Sequence, residues 1–121
     1  MSNHLFSNLK NISVLGASGK MGRGIVLLFA RRILEFNLKH QENRQIFAVD
    51  ISLDGLEKML LYIELQSIKY AEKNSEKIQE LYSGHSNLIN ELDFVKAYIK
   101  DVKNLISIST SIDSVYNSEF I

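Results

Sequence analysis

A chain of 121 residues can bury one core of moderate size and is too short for two independent domains. Its 14 Lys plus Arg balance 14 Asp plus Glu, which leaves no surplus of positive charge for a nucleic acid or an anionic membrane, and the absence of cysteine excludes disulfides and thiolate zinc sites. The 45% of hydrophobic and 23% of charged residues are an ordinary globular mixture; the longest apolar run, residues 25 to 30, cannot span a bilayer, and residues 1 to 10 lack the apolar core of a signal peptide, so the cytoplasm is the expected compartment.

Asn11, Ile12, Ser13, Val14 and Leu15 form a short run of β-branched and apolar residues that stops at Gly16, the pattern of a buried parallel strand. From residue 21 to about 36 the apolar positions Ile25, Leu28, Phe29, Leu34 and Phe36 are broken mainly by Arg23, Arg31 and Arg32, which predicts a helix buried on more than one side. Residues 37 to 44 are nearly all polar and read as a solvated connection, an insertion at the end of that helix. Residues 46 to 49 are a second strand, closing on Asp50.

Ser52 suits the cap of a helix with inward positions Leu56, Met59, Leu60, Ile63 and Tyr70, running to about residue 73. Residues 83 to 87 are a turn cluster, after which Leu88, Leu92, Val95, Ile99 and Val102 repeat at helical spacing up to Asn104. Residues 105 to 109 alternate as a strand does, and residues 118 to 121 look like the beginning of another. Proline is absent, so the breaks must come from Gly, Asn, Ser and Asp.

Chemistry concentrates in the junction Gly16, Ala17, Ser18, Gly19, Lys20, Met21, Gly22, which joins the first strand to the first helix. One glycine permits the tight turn, a second lets the backbone approach a pyrophosphate, and a third lets helix and strand pack closely. The unpaired amides of the helix N-terminus then face the anion. Glycine also serves any strand-to-helix turn, but this loop follows a strand, opens a helix and is succeeded by an acid at the end of the next strand. Asp50 can accept hydrogen bonds from ribose hydroxyls, and its charge repels a phosphate there, so it favours NAD over NADP; no arginine follows it directly. Its plainer reading is a turn or cap residue.

The candidate cofactor-binding residues are therefore Gly16, Ser18, Gly19, Lys20, Met21, Gly22, Asp50 and Ile51, with Arg23 as a further source of positive charge. The loop departs from the common form in having two residues between each pair of glycines, and Gly22 lies further from Asp50 than the usual distance of about 20 residues. No catalytic or metal constellation accompanies it. His4, His40 and His85 have no carboxylate or nucleophile that the sequence pairs with them, and Ser107, Ser109, Ser111, Ser114 and Ser118 fit turns and strand ends.

With these elements in place the chain resembles the N-terminal half of the cofactor domain of the 3-hydroxyacyl-CoA dehydrogenase family, over most of residues 11 to 121. The matching residues are Val14 to Ala17, Gly19 to Ile25 with Gly24 among them, Val49 and Asp50, and Ile106 to Asp113 after a helical excursion at about 52 to 104. The resemblance implies a Rossmann-like parallel sheet with flanking helices, incomplete as the first half of a doubly wound domain, preceded by a tail at 1 to 10. It implies NAD as cofactor, an acyl-CoA substrate for the parent protein, a role in fatty acid metabolism, and compatibility with a homo-oligomer.

Gly19, Lys20, Met21 and Gly22 also resemble the loop of dihydrodipicolinate reductase, an NAD(P)H enzyme whose chain after the second strand is organised differently. In the dehydrogenase family the catalytic histidine and its glutamate partner come later than Ile121, so this chain is expected to bind cofactor without moving the substrate proton. A fragment of a longer enzyme is the expectation, because the chain stops inside an apolar run. A non-catalytic nucleotide-binding or interaction module is the alternative.

Overall fold

The computed structural model describes residues 11–84 and 90–111 in full and the backbone of 119–120. Four strands, β1 (Asn11–Leu15), β2 (Gln45–Val49), β3 (Ile106–Ser109) and β4 (Glu119–Phe120), form one sheet in the order β3-β2-β1-β4. Every pairing is parallel, with Ile12 opposite Ile46, Val14 opposite Ala48, Ile46 opposite Ile106 and Ile12 opposite Glu119. The strand interiors are apolar on successive residues, and Ile12, Ser13, Val14, Ile46 and Ala48 are all essentially inaccessible, which is how a parallel sheet beneath helices differs from an alternating one. The sheet grows one way from β1 to β3 and then returns to place β4 on the other side of β1. This reversal is the topological switch of an incomplete Rossmann-like α/β fold.

Helix α1 (Lys20–His40) joins β1 to β2, and three helices, α2 (Leu53–Lys73), α3 (Ser75–Leu81) and α4 (Glu91–Leu105), join β2 to β3. Helix α2 buries Leu56, Met59, Ile63, Ser67 and Ala71, a stripe at spacings of three and four, while Leu60 and Tyr70 are half-buried at its margin. As expected, the Ser52 hydroxyl caps it by accepting from the Gly55 amide at 3.0 Å. Helices α1 and α2 are also joined by two stacked pairs, Arg23 over Tyr62 and Arg31 over Tyr70, each with the guanidinium carbon 4.3 Å from the ring centre. The Tyr82 hydroxyl donates to Asp101 at 2.6 Å and ties the end of α3 to α4; burial, and then the Asp101 carboxylate, push the phenol pKa up. Among the described residues no helix is long and apolar enough to cross a membrane.

Several expectations differ from the structure. Residues 37 to 40 are not a solvated connection: they are the last turn of α1, so the extra distance between Gly22 and Asp50 is extra helix and only residues 41–44 connect. Leu38 is half-buried against the core, Lys39 and His40 suit the negative end of the helix dipole, and the Asn37 side chain bonds both the amide and the carbonyl of Arg44. Second, α4 turns Tyr98, Val102 and Leu105 inward, leaving Leu92 58% exposed and Val95 and Ile99 half-buried along an open groove with Ile68. Third, Leu28 is 48% exposed, and the inner side of α1 is made by Val26, Leu27, Phe29, Ala30, Ile33 and Leu34. Helix α3 had no counterpart in the sequence reading, and Leu105 belongs to α4, not to the strand after it. The strand expected at residues 118 to 121 is present as β4, whereas Leu88 lies outside the described residues.

Candidate functional site

The loop between β1 and α1 sits at the carboxyl ends of the strands, where β1 is flanked by β2 and β4. The Ala17 amide donates to the Val49 carbonyl at 3.1 Å, and the Gly19 amide donates back to the Gly16 carbonyl at 3.1 Å, which folds the loop into a compact turn. Its three glycines answer to different causes. Gly16 has φ +67°, a left-handed conformation that side chains disfavour. Gly22 is buried, and a Cβ there would collide with the Gly16 carbonyl oxygen and come within 2.9 Å of Ala17 Cα, so the approach of α1 to β1 demands glycine. Gly19 meets neither demand: its φ is −68°, and a Cβ would find only the Gly16 oxygen at 3.4 Å.

Gly19 is also the N-cap of α1, so no side chain caps that helix, and its first turn contains no acid. The other long helices are closed: Ser52 caps α2, and Asn90 with Asp93 forms a reciprocal capping box on α4. The amides opening α1 therefore present a positive helix end with the nearest backbone bare of side chain. Lys20 is exposed beside them, and Met21 is 80% exposed. Arg23 stacks on Tyr62, which gives it a role in joining α1 to α2.

Asp50 follows β2, and its own amide donates to the Ser109 carbonyl of β3 at 3.1 Å. One carboxylate oxygen, Oδ2, accepts from the Ser18 amide at 3.1 Å and from the Ser18 hydroxyl at 2.6 Å; the other, Oδ1, accepts from the Ser52 amide at 3.3 Å. These donors, the Ser18 hydroxyl first, hold the Asp50 carboxyl below its ordinary value against the opposing effect of burial. Ile51, next in the chain, is 94% exposed. The structure thus brings Gly16, Ser18, Gly19, Gly22 and Asp50 into one hydrogen-bonded and packed unit, with Lys20, Met21 and Ile51 exposed on its flanks.

Sequence reasoning missed Gly55. A Cβ on it would lie 2.8 Å from Ser18 Oγ and 2.9 Å from Ser18 Cβ, so the first turn of α2 is the floor on which Ser18 rests. The available signal was a glycine three residues after the cap Ser52, an unfavourable choice inside a helix that asks for a packing reason. Of the residues set aside as non-catalytic, His40 is exposed at the far end of α1 with its ring 4.4 Å from that of Phe36. Ser109 and Ser111 bond each other in a turn, and Ser107 is half-buried within β3. His4, His85, Ser114 and Ser118 lie outside the described residues.

Chemically the unit offers backbone N–H donors at a helix N-terminus and a fixed carboxylate acceptor at the next strand. That arrangement can bind an anionic diphosphate and a neighbouring diol. No protein-family model and no curated protein matches the chain. Among solved structures it is similar to (S)-3-hydroxybutyryl-CoA dehydrogenase from Ralstonia eutropha, with 19% sequence identity and a TM-score of 0.50 over 92% of this chain. The chain spans 29% of the length of that dehydrogenase, and the likeness is one of fold.

Proposed function

We propose that this chain is the NAD-binding portion of an oxidoreductase that, in a longer protein, transfers hydride between a 3-hydroxyacyl-CoA and NAD. The observation that carries the reading is the bond from the Ser18 amide to Asp50: glycine loop and strand-end acid, 32 positions apart in the chain, meet at the carboxyl edge of a parallel sheet. Residues 11 to 121 are then the first half of a cofactor domain.

The residues fit such a cofactor on three counts. Gly19 leaves bare a backbone that the protein itself gives no reason to keep bare, the opening amides of α1 lack a cap, and Asp50 is held as a charged acceptor. Gly19 and the α1 amides would hold the pyrophosphate and Asp50 the adenosine ribose, with the exposed Ile51 offering an apolar surface to the base. The bound nicotinamide supplies the hydride chemistry; the chain's own part is to bind and orient it. Substrate carbonyl and proton transfer belong to the remainder of the parent protein.

Isothermal titration of NAD and NADP against the wild-type chain and Asp50→Ala tests the reading. The wild type should prefer NAD, and the substitution should weaken NAD binding and narrow the gap, because it removes both the ribose acceptor and the repulsion of a 2′-phosphate. Equal affinities in the wild type would overturn the role given to Asp50.

A further inference from the structure

We propose that Ser18 is the residue that fixes the cofactor preference of this site, by committing its only hydroxyl proton to Asp50 so that the pair presents acceptors alone to the adenosine ribose. The inference rests on the NAD reading above and deepens it. A serine in a phosphate loop ordinarily donates its hydroxyl to phosphate oxygen. Here the hydroxyl proton points along a 2.6 Å bond to the Asp50 carboxylate, the shortest contact in the cluster, and what remains on Ser18 Oγ is lone pairs.

The surroundings keep it so. The Ser18 amide is spent on the same carboxylate oxygen, and the Ser52 amide is spent on the other one. The Gly55 amide is likewise taken up, by the Ser52 hydroxyl oxygen. Gly55 itself fixes the position, since a side chain at that point would run into Ser18 Oγ and Cβ. A ribose diol can donate to the open lone pairs of Asp50 Oδ1 and Ser18 Oγ. A 2′-phosphate, which brings acceptors only, meets a charge and a hydroxyl that cannot turn to receive it.

Asp50 then suppresses a latent phosphate donor as well as repelling the phosphate directly, and the two residues are coupled. The test is a double-mutant cycle on the full chain, with Asp50→Ala, Ser18→Ala and the double variant titrated with NADH and with NADPH by saturation-transfer NMR. Asp50→Ala should gain NADPH affinity about tenfold, a hydrogen bond to a charged group, and lose that gain when Ser18 is also alanine. Ser18→Ala alone should weaken NADH several-fold, and the Asp50 carboxyl, followed by its carbon-13 shift, should titrate at higher pH. Ser18→Gly removes the same hydroxyl with a residue every loop accepts and should behave alike.

An Asp50→Ala gain in NADPH affinity that is unchanged without Ser18 would overturn the inference while leaving NAD binding intact. A wild-type chain that binds neither NADH nor NADPH would overturn the NAD reading and this inference together. An Asp50 titration that ignores Ser18 would also count against it.

Discussion

A methyl group on Gly22 would meet the Gly16 carbonyl and Ala17 Cα, both of them backbone that cannot swing aside, so Gly22→Ala is expected to destabilise the chain by about 2–3 kcal/mol. The same change at Gly19 has room and should cost little stability while impairing NADH binding; paired thermal melts and NADH titrations of the two variants separate packing from ligand approach. Asp50 adds a pH dependence. Its carboxyl is held below its ordinary value, so the charged form is favoured by the fold. That contribution is complete above the ordinary carboxyl range and is lost as pH falls through the lowered value. The difference in melting temperature between wild type and Asp50→Asn should therefore be constant near neutrality and vanish in acid. Both Ser18 and Asp50 are visible in the sequence as candidates, but their bond is not. It depends on the parallel register that sets Leu15 beside Val49 and so brings the two strand ends level.

Helix ends and helix faces are unequally legible in the sequence, for reasons that lie in particular residues. The end of α1 is concealed because its left-handed C-terminal position is occupied by Gln41, φ 53°, where glycine would have announced the stop. Gln41→Gly is expected to raise stability by up to about 1 kcal/mol, since relief of the left-handed strain outweighs the added freedom of the unfolded chain. Chemical denaturation measures it. On α4 two apolar stripes lie about one residue apart, and periodicity cannot choose between them. The stripe carrying Tyr98 goes inward and packs its ring 5.8 Å from that of Tyr70. The cap of α4 is simpler: Asn90 accepts from the Asp93 amide at 2.9 Å, and Asn90→Ala should lower stability by about 1 kcal/mol in the same assay.

For the molecule as a whole, two unbroken apolar strands and a third that alternates, separated by helical patterns, gave the elements, and the resemblance to a dehydrogenase family gave the parallel sheet with flanking helices. The sheet order and its reversal at β1 come only with the structure. The chemistry follows from what the loop contains. On the proposed reading its backbone donors and acceptor would bind a cofactor, but reaction needs a positioned base and a substrate pocket as well. The 121-residue chain is thus expected to produce no NADH from 3-hydroxybutyryl-CoA and NAD, followed by absorbance at high protein concentration. Steady turnover abolished by Gly19→Val would place an active site within this chain. On the same reading, the bond from the Asp50 amide to Ser109 would make cofactor affinity a property of the sheet's edge. Strand β3 has four residues, pairs only with β2 at one edge of the sheet and is joined to it in the chain through the helices α2, α3 and α4, so a local opening can release it while β1 and β2 stay paired. Each opening frees the Asp50 backbone and removes the site from the binding-competent population, and apparent affinity falls by that fraction. Substitutions far from the loop, in the seam between α2 and α4, would then weaken NADH in proportion to how fast they let the Asp50 amide exchange its hydrogen with solvent.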